Sequence, residues 1–237
     1  MGSADAKTRK KRSLIWNYIL FLGPTILLFT AIEIIPLLMG IGYSFTNWDG
    51  IANGAGFIGL KNYIKLFTND ERFWTSLIFT FKNTFVVVIA SNLIGFTLAY
   101  GLSKKIPFRN FIRAAFYLPR LIGGVILGFV WQFIFLNIFP FLGDKLGWSV
   151  FQLAWLGTPG TAFWALAIVQ AWGLAGYMMI IYVAGLTAIS NDYLEAAIID
   201  GATARQQLCH IILPLMMPSI TECLFLSILN TLKVYDV

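Results

Sequence analysis

Charged residues are scarce in this sequence. Asp, Glu, Lys and Arg make up 12% of its 237 residues, well below the roughly 25% typical of soluble domains, whereas hydrophobic residues make up 58%. This balance excludes an ordinary soluble globular domain. Apolar runs longer than about 20 residues recur, and each could cross about 30 Å of hydrocarbon as a helix. The sequence therefore predicts an all-α, polytopic membrane protein.

Residues that commonly carry chemistry are also few. The chain has two cysteines, Cys209 and Cys223, and a single histidine, His210, with no CxxC pair or Cys/His cluster, which argues against a disulfide framework or a zinc site. No nucleotide-binding Gly-x-x-x-x-Gly-Lys-Ser/Thr, HExxH or Gly-x-Ser-x-Gly motif occurs. We therefore expect neither an enzyme nor a chain that binds a cofactor or metal itself.

The apolar runs predict about five membrane spans. They cover approximately residues 14–45, 76–102, 111–135, 162–188 and 215–237, with polar loops at 47–75 and 137–160. Gly124 and Gly128 form a small-xxx-small pattern in the third span, which would allow another helix to approach closely. We expect a basic N-terminal segment at 1–13, followed by one membrane domain at 14–237.

Lysine and arginine predict the orientation. Five precede the first span, four lie in the turn at 103–113 and one lies in segment 190–214, against three and one in the two polar loops. Because basic residues favour the cytoplasmic side, the N-terminus, the turn and segment 190–214 are predicted to be cytoplasmic. The net charge of +6 therefore reflects membrane orientation, and nucleic acid is not an expected partner.

Segment 190–214, SNDYLEAAIIDGATARQQLCHIILP, is a polar interruption between two apolar runs. We name it the elbow. Asp192 is predicted to cap its first helix, with Glu195 three residues later reaching back to the cap, and Gly201 to end that helix with a positive φ.

A second helix of the elbow is predicted to start at Thr203, with Gln206 completing a capping box, and to reach Pro214, which bends it or marks its start in the membrane. A DNA-reading helix-turn-helix is disfavoured, because the elbow carries three acidic residues and one arginine. An ordinary loop between two spans remains an alternative.

Two groups of residues resemble a known family. Glu195-Ala196-Ala197, Gly201 four residues later, and then Ile211, Leu213 and Pro214 resemble the EAA signature of the membrane subunits of bacterial ABC importers. The strings SFTNWDG, FIGLKNYIKLF, NDERFW and KNT resemble the branch that imports carbohydrates and related solutes. The resemblance covers nearly the whole chain.

The resemblance implies a permease bundle in the bacterial inner membrane that forms half of a translocation pathway for a carbohydrate. The implied partners are a second permease subunit, two ABC ATPase subunits that bind ATP and Mg, an extracytoplasmic solute-binding protein and membrane lipid. Family members continue through one more span, so the last span is expected to be missing here. The residues expected to couple to an ATPase are Glu195, Ala196, Ala197, Asp200, Gly201, Leu213 and Pro214.

Candidates for the substrate pathway come from polar and aromatic side chains in the spans. Glu222, Asn230 and Lys233 fall within an arc of about 80° on one helix face, although Glu222 and Lys233 could instead reach toward the membrane surfaces. Trp172 and Tyr177 lie beside glycines in the fourth span and are further candidates.

Two alternative functions stay open. A permease for polyamines, amino acids or metals would share the elbow, and a channel-like module could use it to dock a partner without energy coupling.

Overall fold

The computed structural model describes residues 18–51, 54, 56–103 and 106–233. Within these ranges its regular structure is helical, apart from an isolated bridge between Thr46 and Phe57. The predicted basic segment 1–13, together with Lys104 and Lys105 of the basic turn, lies outside the described residues. The helices are α1 (Tyr18–Ser44), α2 (Lys61–Asn69), α3 (Glu71–Ser103), α4 (Arg109–Leu121), α5 (Gly124–Leu146), α6 (Pro159–Ala188), α7 (Asn191–Ile199), α8 (Ala204–Leu215) and α9 (Met217–Leu232).

Four helices in the described part of the chain are long and apolar enough to cross a membrane, namely α1, α3, α5 and α6. Helices α8 and α9 meet at a bend of 68° and provide a fifth span if they are counted as one broken helix. The prediction of an all-α membrane protein with about five spans is confirmed.

The predicted third span, 111–135, is wrong in its limits. The chain leaves helical geometry at Ile122 and Gly123, so α4 ends at Leu121 and the membrane-length helix α5 runs from Gly124 to Leu146. Part of the predicted loop 137–160 is therefore helical. No part of the described chain packs closely on Gly128, since a Cβ placed there would meet nothing within 4 Å.

The first compact unit extends to Thr75 and contains α1 and α2. The sequence predicted a loop for 47–75, but Lys61–Asn69 forms a helix and α3 already begins at Glu71. Asp70 stabilises that start, since its carboxylate accepts a hydrogen bond from the Phe73 N–H at 3.1 Å. The charge balance of this stretch concealed its apolar helical periodicity.

The second compact unit extends from Ser76 to Val237, and α6 is its central helix. Helix α4 crosses α6 so closely that a Cβ on Gly176 would overlap the backbone carbonyl of Phe116. A Cβ on Gly95 of α3 would lie 2.9 Å from the Met178 Cβ. These contacts place glycine where two helices meet, and they bury Met178 and Met179 of α6 completely.

Candidate functional site

The elbow begins with a capped helix, but the cap differs from the prediction. Helix α7 starts at Asn191, and its N-cap is Ser190, whose side chain accepts a hydrogen bond from the Asp192 N–H at 3.3 Å. The predicted cap at Asp192, with Glu195 reaching back to it, is therefore wrong by two residues. Serine and aspartate are both favourable caps, so residue type alone did not decide between Ser190 and Asp192.

The end of α7 matches the prediction. Gly201 has φ of +75°, and two hydrogen bonds close the helix, from the Ala202 N–H to the Ala197 carbonyl at 2.8 Å and from the Gly201 N–H to the Ile198 carbonyl at 3.0 Å. This pair of bonds is a Schellman motif, which requires a left-handed residue at the glycine position. The turn between α7 and α8 is thus fixed by backbone geometry.

Helix α8 restarts immediately after this turn. Thr203 and Gln206 form the predicted capping box, and a π-helical turn follows at Leu208–Ile212. Pro214 occupies the start of the last α-helical turn, whereas the 68° bend lies after Leu215, at Met216. Of the two alternatives for Pro214, the structure therefore does not place the bend at that residue.

The exposure of the predicted coupling residues divides them into two groups. Glu195, Ala196, Asp200, Gly201 and Pro214 are exposed, whereas Ala197 is buried and Leu213 is half-buried.

The elbow also exposes three large apolar side chains, Tyr193, Ile198 and Ile199, which are 57%, 63% and 85% accessible. Exposed large apolar side chains outside the membrane spans are candidates for contact with another protein.

A cavity of about 500 Å³ lies among residues of α4, α5, α6 and α9 and the junction between α4 and α5. Its lining combines apolar side chains with cationic and amide groups, and the described residues around it include no carboxylate. The lining consists of Pro119, Arg120, Ile122, Gly124, Leu127, Val169, Gln170, Gly173, Leu174, Leu226, Leu229, Asn230, Thr231 and Lys233.

Arg120 occupies one wall of this cavity. Its Nη2 donates a hydrogen bond to the Asn230 Oδ1 at 3.1 Å, and its Cζ lies 5.1 Å from the centroid of the Tyr177 ring. The Asn230 Nδ2 donates to the Leu226 carbonyl at 2.8 Å. Asn230 therefore orients Arg120, and Tyr177 supports the guanidinium through a cation–π contact.

Gln170 is a second polar member of the cavity, and it is only 8% exposed. Its Oε1 accepts a hydrogen bond from the Asn83 Nδ2 at 2.9 Å. The Gln170 Nε2 and the Asn83 Oδ1 are buried with no hydrogen-bond partner in the structure. Half-satisfied amides inside a bundle are costly and are more typical of functional than of purely structural positions.

Another buried polar cluster joins three helices of the second unit. The Tyr182 hydroxyl donates to the Asn92 Oδ1 at 2.7 Å, and the Asn92 Nδ2 donates to the Ser227 Oγ at 2.9 Å. These residues lie on α6, α3 and α9 and are almost completely buried. Because hydrocarbon offers no alternative partner, such bonds fix the relative register of the helices.

The structure separates the predicted pathway residues. Asn230 and Lys233 line the cavity, and Tyr177 lies directly behind it against Arg120. Glu222 is exposed and is not part of the lining, because it lies more than two helical turns before Asn230.

Trp172 lines a different cavity. That space of about 540 Å³ is almost wholly apolar, and Trp172 there meets Trp131 edge-on, with 5.5 Å between ring centroids. Trp172 and Tyr177 are five residues apart, and because a helix turns about 100° per residue their rings point in different directions, so the structure does not bring these two candidates together.

Sequence reasoning missed Arg120, Gln170, Asn83 and Asn92. All four fall inside the predicted spans 76–102, 111–135 and 162–188, where a charged or amide side chain is itself a signal of function. The sequence contains that signal, but it does not show which of these residues lie close together in the fold. Among the described residues, no group of three or more His, Cys, Asp or Glu could hold a metal ion.

Comparison with known proteins gives a family and a fold. Residues 91–237 match the family described as binding-protein-dependent transport system inner membrane component. The chain is 45% identical over 224 residues to the probable starch degradation products transport system permease protein AmyD of Thermoanaerobacterium thermosulfurigenes, an alignment that covers 94% of this chain and 75% of AmyD.

A second relative is the multiple sugar-binding transport system permease protein MsmF of Streptococcus mutans, 29% identical over 96% of this chain and 78% of MsmF. Among solved structures, a bacterial alginate ABC transporter, crystallised with an alginate pentasaccharide-bound periplasmic protein, contains a chain that matches with a TM-score of 0.78. The two are 23% identical over 95% of this chain and 75% of that one, so this likeness establishes the fold.

Proposed function

Since the chain belongs to the family of binding-protein-dependent transport system inner membrane components, we propose that it is the permease subunit of an ATP-driven carbohydrate importer. It is a multi-pass inner membrane protein and not an enzyme. Its bundle forms half of the translocation pathway, and a second permease subunit supplies the other half. The similarity to AmyD and MsmF supports a carbohydrate as the transported solute.

The observation that carries this proposal is the cavity among α4, α5, α6 and α9. Carbohydrates present many hydroxyl groups, and a site for them needs donors and acceptors set in apolar walls. Arg120, Gln170 and Asn230 supply these groups among the largely apolar side chains that line the cavity. We assign the cavity to the substrate pathway, with Lys233 at its edge and Tyr177 supporting Arg120.

The elbow is proposed as the contact for a separate ATPase subunit. Its two helices are capped and joined by the Schellman turn at Gly201, so it can transmit a rigid-body movement that a flexible loop would absorb. Tyr193, Ile198 and Ile199 would be buried on docking, and Glu195, Ala196, Asp200 and Pro214 are also exposed. The buried Ala197 and half-buried Leu213 have less surface available for docking.

The proposed assembly contains two permeases, two ATPases that bind ATP and Mg, and an extracytoplasmic solute-binding protein. The alginate transporter crystallised with its periplasmic protein supports the last of these partners. The distribution of Lys and Arg supports a cytoplasmic N-terminus and a cytoplasmic elbow.

The substrate pathway is tested by uptake into proteoliposomes that contain the complete importer. Probes are malto-oligosaccharides, trehalose, alginate oligosaccharides and histidine, each delivered with an appropriate binding protein. We expect uptake of a carbohydrate, and Asn230→Leu should lower it several-fold, because it removes the acceptor that orients the exposed Arg120 guanidinium, and such a hydrogen bond contributes about 1 kcal/mol. Glu222→Gln on the same helix is the matched control and should leave uptake unchanged.

The two alternative functions give different outcomes. Uptake of histidine but of no carbohydrate would assign the permease to another solute class. Solute flux down its gradient without ATP, unaffected by changes in the elbow, would identify a channel-like module. Equal uptake by the Asn230→Leu and Glu222→Gln variants would remove the cavity from the pathway.

A further inference from the structure

Helix α2 carries an apolar face that the rest of the described chain leaves uncovered. Ile64 and Phe67, together with Leu60 just before the helix, are 60%, 52% and 60% accessible. Their spacing of four and three residues places them on one side of the helix. Lys61 and Lys65 are also exposed, and at about 100° per residue they flank this apolar side, about 90° and about 130° around the helix from its centre.

Both ends of α2 are bound to the ends of membrane-length helices. At its start, the Tyr63 hydroxyl lies 2.7 Å from the Ser44 Oγ, and the Asn62 Nδ2 donates to the Ser44 carbonyl at 2.9 Å. Ser44 is the last residue of α1. The first part of α2 is therefore held at the point where α1 ends.

The other end of α2 is held in the same way by α3. The Trp74 Nε1 donates to the Phe67 carbonyl at 3.0 Å, and the rings of Phe67 and Phe73 meet edge-on, with centroids 5.5 Å apart. Phe73 and Trp74 belong to the first turn of α3. Because α2 is tied to the end of one span and the start of the next, it must lie near one membrane surface.

We propose that α2 is an interfacial helix and that the phospholipid head-group region covers its apolar face. Leu60, Ile64 and Phe67 enter the boundary between head groups and acyl chains, while Lys61 and Lys65 contact lipid phosphates. An amphipathic helix with apolar residues on one side and lysines beside them fits such a boundary, because lysine side chains can extend toward the phosphates. The proposal holds for whichever side of the membrane α2 occupies.

Site-directed spin labelling tests this placement. Single cysteines replace Ile64, Phe67 or Lys65 in a chain carrying Cys209→Ala and Cys223→Ala, and the labelled protein is placed in phosphatidylcholine vesicles with and without phosphatidylglycerol. Oxygen concentrates in the bilayer and a nickel chelate in water. Ile89→Cys, at a half-exposed position within α3, supplies the bilayer reference.

We expect labels at Ile64 and Phe67 to be more accessible to oxygen than to the nickel chelate, with a smaller difference than at Ile89. The label at Lys65 should be more accessible to the nickel chelate than to oxygen. Phosphatidylglycerol should increase the difference. Labels at all three positions that favour nickel would overturn the proposal by placing α2 in water. Exclusion of both reagents at Ile64 and Phe67 would overturn it by showing a protein partner on this face.

A second measurement leaves both native cysteines in place. A photoactivatable amino acid at Ile64 should cross-link to phospholipid, and the same group at Lys65 should capture several-fold less lipid. Equal capture at the two positions, or capture of protein alone at Ile64, would contradict an interfacial α2.

Discussion

The Schellman turn at Gly201 provides the most direct test of how the elbow is built. Gly201→Ala adds one methyl group at a backbone with φ of +75°. A Cβ at this position meets nothing within 4 Å, so the substitution tests backbone conformation without a steric clash. Gly201→Asn adds a side chain that tolerates left-handed geometry, and Gly201→Val adds one that does not.

The magnitude follows from the geometry. A non-glycine residue held in the left-handed region destabilises the closed turn by about 1 to 2 kcal/mol. Alanine has fewer backbone conformations than glycine in the open state, and this difference offsets about 0.4 to 1 kcal/mol of that cost. We expect a net loss of about 1 kcal/mol for Gly201→Ala, which is about a fivefold larger open population. Gly201→Asn should destabilise the closed turn less than Gly201→Ala does, and Gly201→Val should destabilise it more.

Hydrogen–deuterium exchange of the elbow measures this population directly. The amides of Gly201 and Ala202 donate the two hydrogen bonds of the turn, and their exchange should accelerate in the order Asn, Ala, Val. Gly101→Ala is the matched control, because Gly101 lies within α3 at ordinary φ and its added Cβ also meets nothing within 4 Å. Exchange in the elbow should be unchanged by that control.

The same series tests the proposed coupling. Retention of the ATPase and ATP-dependent uptake should fall in the order in which exchange rises. If the elbow amides exchange at the same rate in the Gly201→Val and Gly101→Ala variants, the argument from the positive φ of residue 201 is refuted. If exchange rises but ATPase retention and uptake do not change, the turn is correctly described and the proposed coupling role is wrong.

Three further substitutions test packing, polar contacts and capping. Gly176→Ala should destabilise the bundle by about 1 to 3 kcal/mol through overpacking against α4, which would lower the midpoint of thermal unfolding in detergent. Gly173→Ala is the control: its Cβ would make only a 3.5 Å contact, so the midpoint should change little. Tyr182→Phe removes the donor to Asn92 and should cost about 0.5 to 1.5 kcal/mol in the same assay; an unchanged midpoint would mean that this buried bond does not stabilise the bundle. Ser190→Ala removes the observed cap of α7 and should cost about 1 kcal/mol, measured as faster amide exchange at Asp192, and unaltered exchange would show that the cap is dispensable.

Local chemistry in the sequence was enough to predict several features. Apolar run length predicted the membrane helices, because only an internally hydrogen-bonded helix satisfies its backbone in hydrocarbon. Gly201 and the Thr203–Gln206 capping box were predicted for the same reason, since each satisfies helix-end groups within a few residues of itself. These features depend on neighbours along the chain.

The ends of helices were harder to predict where the sequence offers two alternative end positions. Ser190 and Asp192 are both good caps, and the helix begins at the earlier one. The run at 111–135 was interpreted as one span although it contains Pro119 and Arg120, so the end of α4 at Leu121 was not predicted. At the cap of α7 the two local preferences are nearly equal, so residue type alone does not choose between them.

Tertiary structure alone brought Arg120, Gln170 and Asn230 together around one cavity. Each residue lies on a different helix, and the contact between Arg120 and Asn230 joins positions 110 residues apart. Periodicity assigns a residue to a face of its own helix, but it does not specify which helix lies opposite or at what height. That choice follows from close approaches such as Gly176 against Phe116, which depend on the shapes of two helices at once.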